Sequence, residues 1–229
     1  MSFQDKLLDS FIAFEQVIDL DNPVHSVRKN ALKRFESDGF PTKKDELWKY
    51  TSLKSIIQKD YSLSVKSNPN VGLKDIEKYS INDIDSYKIV FVDGVFNPFL
   101  SNTTHDGMDI CVLSAALSKT KYKKTISKYF NKIVPDDQSL ASLNTSYTKE
   151  GAYIHIPKSV LPEDPVQILH FSSGKNKPLW LQPRNIIIVE ENARVEIIER
   201  HQSLRSHDGA TNSLTCLLYT SDAADDIRR

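Results

Sequence analysis

The sequence predicts an α+β chain in which a helical N-terminal region leads into short strands stacked in coils, the pattern of a β-helix. Three observations carry this expectation. Ile186 to Val189 is a short β-branched apolar run, the composition of a strand buried on both faces. Glu190-Glu-Asn-Ala193 then turns the chain, because Asn tolerates left-handed backbone angles, and Arg194 to Glu199 returns as a second β-prone run with Val195 and Ile197 on one side. Upstream, Gly151 to Pro157 and Pro165 to His170 keep the same rhythm of short strands and small polar corners, with no helix between them.

The elements before this stack follow in order. Phe3, Leu7, Leu8, Phe11, Phe14 and Ile18 recur at helical spacing. Asp19 to Pro23 stops that helix and starts another, with Asn22 as N-cap and Pro23 in the first turn. Val24, Val27, Ala31, Leu32 and Phe35 form its apolar stripe. Arg28, Lys29, Lys33 and Arg34 are expected on a solvated face, and Gly39 closes the helix. In Phe40 to Leu53, Pro41 fixes the backbone, Thr42 is a cap, and Trp48 and Tyr50 are aromatic anchors. These two rings either plug the helices onto the rest of the fold or form a recognition surface, and composition favours the plug.

A short helix is expected around Leu73 to Tyr79, and a hairpin over Lys88 to Phe96 turning at Asp93-Gly94. Met108 to Leu113 reads as a strand holding Cys111. Ser114 to Val134 reads as a helix burying Tyr122, Ile126, Tyr129, Phe130 and Ile133, ended by Pro135-Asp-Asp137. Leu140 to Thr145 leads into the strand region, where Asp164-Pro165 and Lys177-Pro178 mark corners.

Composition narrows the function. The 30 Lys plus Arg balance the 30 Asp plus Glu, so nothing marks a nucleic-acid or anionic-membrane partner. No apolar run approaches the roughly 20 residues of a membrane span, and Met1 to Lys6 lacks a signal-peptide pattern. Cys111 and Cys216 are too few and too far apart for a disulfide framework, so a soluble cytosolic protein is expected. The sequence has no GxxxxGK[ST], no GxGxxG and no GxSxG. Asp136 and Asp137 read as a turn, and Cys111 as a small buried hydrophobe. His155, His170 and His201 lie in the strand region, but their spacing matches no short zinc or iron motif. No catalytic, cofactor-binding or metal-binding residue is assigned.

Phe40-Pro-Thr-Lys-Lys-Asp-Glu-Leu-Trp-Lys-Tyr-Thr51 resembles the Pro-Thr-x-x-x-Glu-x-Trp-Lys-Tyr-Thr signature of the SufD family of iron–sulfur cluster assembly proteins. Leu143-Asn144 with Gly151 to Pro157 resembles that family's entry into its β-helix, and Gln182 to Glu199 resembles its Pro-Arg block. The resemblance covers residues 1 to about 215. It implies the start of a right-handed parallel β-helix after the helical region, and a non-catalytic scaffold role. It further implies a SufB partner and a SufC partner that hydrolyses ATP. An iron–sulfur cluster and a reduced flavin (FAD) belong to the full complex, with no contact placed on this chain. The functional histidine and the SufC-docking region of the family fall beyond these residues, so no functional residue is carried over.

The expected organisation is a helical region over 1–86, a mixed connecting region over 87–145, and first coils over 146–215. From about residue 216 the strand rhythm is lost. Cys216 to Arg229 resembles the in-frame translation of a transposase-type sequencing adapter, so 216–229 is expected to be foreign and the chain truncated. The competing readings are a stand-alone β-helix enzyme, carbohydrate-active or an acyltransferase, and a SufB-type paralogue. Neither carboxylate clusters nor hexapeptide repeats favour the enzyme.

Overall fold

In the computed structural model, which describes residues 1–18, 24–63, 71–79, 81, 84–105, 107–130, 138–174 and 177–219, the chain winds through three sheets in a repeating order. The helical entry comes first. Helix α1 (Phe3–Glu15) is fixed by a capping box in which Ser2 Oγ accepts from Asp5 N at 3.1 Å and the Asp5 carboxylate accepts from Ser2 N at 2.7 Å. Helix α2 (His25–Asp38) ends at Gly39, whose φ of +68° an L side chain would resist. The expected stop at Asp19 to Pro23, with the Asn22 cap, lies outside the described residues.

The solvated-face reading of α2 needs one correction. Arg28 is buried, and its Nη2 donates to Thr148 O at 2.9 Å. Its stem packs inward while the guanidinium finds a carbonyl, which sequence periodicity does not show. After a 3₁₀ turn at Glu46–Trp48 come short helices α3 (Lys54–Ile57) and α4 (Leu73–Ile76), the latter extended by a 3₁₀ turn at Glu77–Tyr79 as expected.

Strands β1 (Tyr87–Val92) and β2 (Val95–Phe96) form the expected hairpin, with Asp93 at φ +52° and Gly94 at φ +77°. β3 (Asp109–Val112) carries Cys111. The single helix expected over Ser114 to Val134 is two, α5 (Leu113–Ser118) and α6 (Thr120–Tyr129), because Lys119 adopts extended backbone angles between them. Ile133 and Pro135 to Asp137 lie outside the described residues. Leu140 to Thr145 belongs to a helix, α7 (Ser139–Tyr147), packed on α2. Its sequence is polar, yet nearly all of it is buried. Asn144 Nδ2 donates to Pro183 O at 2.9 Å and to Asn212 O at 2.7 Å, so tertiary hydrogen bonds stand in for the water a polar helix would otherwise need.

Strands β4 (Ala152–Ile156), β5 (Val166–Ser172) and β6 (Trp180–Leu181) enter three different sheets. β7 (Arg184–Val189), β8 (Ile197–Ser203) and β9 (Ala210–Thr211) then visit the same three sheets in the same order, and β10 (Leu214–Tyr219) begins another round. Each strand lies parallel to the one about 30 residues later: Tyr153 faces Ile186, Val166 faces Ile197, Trp180 faces Ala210 and Arg184 faces Leu214. At the start of the stack β1 pairs parallel with β5, while β3 runs antiparallel beside β4.

The interior between the sheets is filled by Phe91, Ile154, Ile156, Ile168, Ile187 and Val189. On the far side of β7, Ile186 and Ile188 pack against Leu117, Tyr122 and Ile126 of the helices, so β7 is buried on both faces as its composition requires. Phe3, Phe40 and Tyr61 meet Trp180 with ring centroids 5.1–6.0 Å apart and fasten the N-terminal helices to the third sheet.

Two strand expectations are corrected. Asn192 turns the chain at φ +57° as its residue type suggests. The following strand, however, spans Ile197–Ser203 rather than Arg194 to Glu199, and it pairs with β5 instead of folding back on β7. The strand rhythm also persists past Thr215, since Cys216 to Tyr219 complete β10 beside β7. Residues 220–229 lie outside the described residues. Among the described residues no helix is long and apolar enough to cross a membrane.

Candidate functional site

The inward side of β5 begins apolar and ends polar. Val166 and Ile168 pack in the interior, so the strand's two-residue period puts His170 on the same side. On β8 the corresponding row is Ile197, Glu199 and His201. The register sets His201 opposite His170 and His170 opposite Phe91. The three rings stack across the strands, at 4.8 Å and 14° for Phe91 on His170 and 4.6 Å and 7° for His170 on His201. One donor atom each from His170, Glu199 and His201 lies within 4.8 Å of the others, the one such grouping of metal-competent side chains among the described residues.

Glu199 is tied down from both sheets. Its Oε1 accepts from Asn185 Nδ2 at 3.0 Å and from Ser213 Oγ at 3.3 Å, and pairs with His201 Nε2 at 2.8 Å. Its Oε2 accepts from Thr215 Oγ1 at 2.6 Å. Burial works to raise the Glu199 carboxyl, but hydrogen bonds from His201 and Thr215 outweigh it and hold the pKa at about 2. Burial, followed by the charge of His201, pushes His170 down to about 3. At neutral pH the pair is therefore a carboxylate beside a neutral imidazole. His170 is only 8% exposed, and its Nε2 is buried with no hydrogen-bond partner. A cavity of about 120 Å³ opens beside it, lined also by Gly94, Leu181, His201, His207 and Thr211. Two imidazoles and a carboxylate can move protons or hold a cation there.

Of the three histidines singled out in sequence, two meet and one does not. His155 faces away, with Nδ1 3.4 Å from Asp109 and Nε2 2.8 Å from Glu190, in a network that Lys121 extends to Asp109 at 2.8 Å. The separation of His170 and His201 matches the coil register that pairs Val166 with Ile197. That register is the sequence signal for the pair, and a search for short motifs misses it. Cys111 is half-buried and burial pushes its thiol up to about 11, which suits a small hydrophobe rather than a nucleophile. Arg184, of the Pro-Arg block, is fully buried. Its Nη1 donates to Thr145 Oγ1 at 3.2 Å and its guanidinium lies 5.0 Å over the Phe130 ring, locking α6 and α7 onto β7.

The plug expected at Trp48 and Tyr50 is overturned. Tyr50 is 92% exposed and Leu47 79%, while Trp48 is half-buried at the rim of a groove with Pro41, Asp45, Gln138 and Leu140. Asp45 Oδ2 accepts from Thr42 N at 2.6 Å just ahead of the 3₁₀ turn, whose Leu47 stands in solvent while Trp48 lies along the groove.

Residues 1–168 match the family profile described as the SufBD protein N-terminal region. The chain is similar to an iron–sulfur cluster assembly SufBD family protein of Synechocystis, with 25% identity over 187 residues, covering 82% of this chain and 41% of the relative. It is similar to the iron–sulfur cluster assembly protein SufD of Escherichia coli, with 24% identity over 184 residues, covering 76% and 38%. The SufD of Bacillus subtilis is 25% identical over 115 residues, covering 49% and 25%. The chain thus spans less than half the length of each of these relatives.

Proposed function

The chain belongs to the SufBD family, and from that premise we propose that it acts in iron–sulfur cluster assembly as a non-catalytic scaffold subunit alongside SufB and SufC partners. The match of residues 1–168 to the family profile carries this reading. The architecture supports it. Parallel strands about 30 residues apart on three faces are how a right-handed parallel β-helix begins, and such a stack offers long flat sides to a partner. The helical residues 1–86, the connecting residues 87–145 and the coils from 146 are its parts. ATP hydrolysis is assigned to SufC, and the nascent cluster is cargo of the assembled complex. Flavin is likewise assigned to that complex, in the cytoplasm, rather than to these residues.

Co-expression with SufB and SufC of the same source, followed by affinity capture of SufB and size exclusion, tests the reading. The expected result is co-elution of all three. Elution of this chain alone, at concentrations where SufB and SufC associate, would remove the scaffold assignment.

A further inference from the structure

We propose that His170, Glu199 and His201 form a binding site for one divalent first-row transition-metal ion inside the strand stack. The proposal stands on geometry and holds whichever partners the chain takes. Two residues at i and i+2 of one strand and a third directly across on its neighbour all project to one side of a sheet, which lets three side chains converge on a point. Two imidazoles and one carboxylate are the donor set that zinc and ferrous iron take.

The groups are also prepared for the role. Asn185, Ser213 and Thr215 orient the carboxylate as outer-shell partners do. His170 Nε2 points to the need for a ligand, because a buried imidazole nitrogen without a partner is an uncompensated cost that a cation would relieve.

The site must close a little to bind. Donors around a four-coordinate ion at its usual 2.0–2.1 Å bond lengths sit about 3.4 Å apart. The three here span up to 4.8 Å. Two parallel rings also aim their lone pairs side by side, so the stack has to splay. His201 can supply the movement, since it is exposed and lies on β8, the edge strand of its sheet. The ion replaces its present hydrogen bond to Glu199. The cavity that His170 and His201 line together with His207 and Thr211 adjoins the site.

The test uses the tag-free 229-residue chain, stripped with chelator and titrated with Co²⁺ near neutral pH by visible absorption and calorimetry. The expected result is one Co²⁺ per chain with ligand-field bands of nitrogen and oxygen coordination, displaced by Zn²⁺. His201→Ala and Glu199→Gln should each weaken binding at least ~10-fold. His155→Ala, in the other His–carboxylate network, should leave it unchanged. His201 is exposed, so its variant should fold; far-UV circular dichroism checks each protein. Failure of the folded wild type to saturate at one equivalent overturns the proposal. Retention of full affinity in His201→Ala does too, as does loss of the ion in His155→Ala.

Discussion

Replacing Gly151 with alanine should destabilise the chain by about 3 kcal/mol, the opposite sign to the usual gain of roughly 0.4–1 kcal/mol from a stiffer unfolded state. A Cβ at this position would stand 1.9 Å from Arg184 O, 2.5 Å from Arg184 C and 2.9 Å from Arg184 N. An ordinary carbon–oxygen contact is about 3.3 Å, so the start of β7 would have to retreat by about 1.4 Å. The obstructing atoms are backbone, and no rotamer can move them aside. β7 is hydrogen-bonded to β4 on one side and β10 on the other, and every residue of it is buried. Retreat would break the bond from Arg184 N to Glu150 O, now 3.0 Å, and drag the buried Arg184 guanidinium off Phe130.

Overpacking against immovable atoms falls at the upper end of the roughly 1–3 kcal/mol range. A lost buried hydrogen bond adds about 1 kcal/mol. The unfolded-state gain offsets only part of this. Urea unfolding of both proteins measures the difference. With a slope near ~2 kcal/mol per molar, the midpoint should drop by about 1.5 M. A midpoint unchanged or raised would show that β7 is free to move, and the tight seating of the first coil would have to be given up.

Three further outcomes follow from the same structure. Asp93 closes the hairpin turn and accepts from Ser173 N at 2.8 Å and Ser173 Oγ at 2.6 Å; Asp93→Ala should cost about 1–3 kcal/mol in urea unfolding, with Asp93→Asn recovering part, and equal stability of all three proteins would contradict the pairing. His170 takes a proton at about 3 in the fold against 6.5 in the unfolded chain, so the unfolded state is protonated first as pH falls. The stability that His170 contributes is complete above pH 6.5 and lost on the way down to about 3, with Glu199 adding a loss between 4.5 and about 2. His170→Phe, which keeps the ring stack, should flatten the decline between pH 6.5 and 4.5, and an unaltered slope would take His170 out of that account. Leu47→Ser and Tyr50→Ser should each change stability by less than ~0.5 kcal/mol; a loss above ~1 kcal/mol would reinstate the plug that their exposure argues against.

What the residues disclosed in advance was local. The Asp93-Gly94 turn, the left-handed Asn192 and the doubly buried Ile186 to Val189 run each declare themselves through a backbone preference or an unbroken apolar stretch. Helix α7 did not, because Leu140, Leu143 and Tyr147 make only a sparse apolar row among Ser, Asn and Thr, and the helix is held by hydrogen bonds from Asn144 to carbonyls about 40 and 70 residues away. β8 was displaced for a similar reason. Glu199, Arg200, His201 and Gln202 are poor strand formers that become a strand by pairing with β5. The His170, Glu199 and His201 grouping is the sharpest case, since it exists only once the coil register is known. Trp48 and Tyr50 misled in the other direction, because aromatic content says that a ring will find a partner and not that the partner is in the same chain.

The coil register also governs how such a chain can change its length. Between β4 and β5 the corner spans nine residues, while the equivalent corner between β7 and β8 spans seven. The longer one fits its surplus into a loop where Ser159 sits at φ +61° and its N–H reaches Glu191 O at 3.0 Å, and the strands on either side stay aligned. Insertions are therefore absorbed at corners. A single residue added within β5 would instead turn its inward row out to solvent and separate the Phe91, His170 and His201 rings. Residues added at 157–165, 190–196 or 204–209 leave the register of the strands intact, whereas within the strands only the length of a whole coil would preserve it.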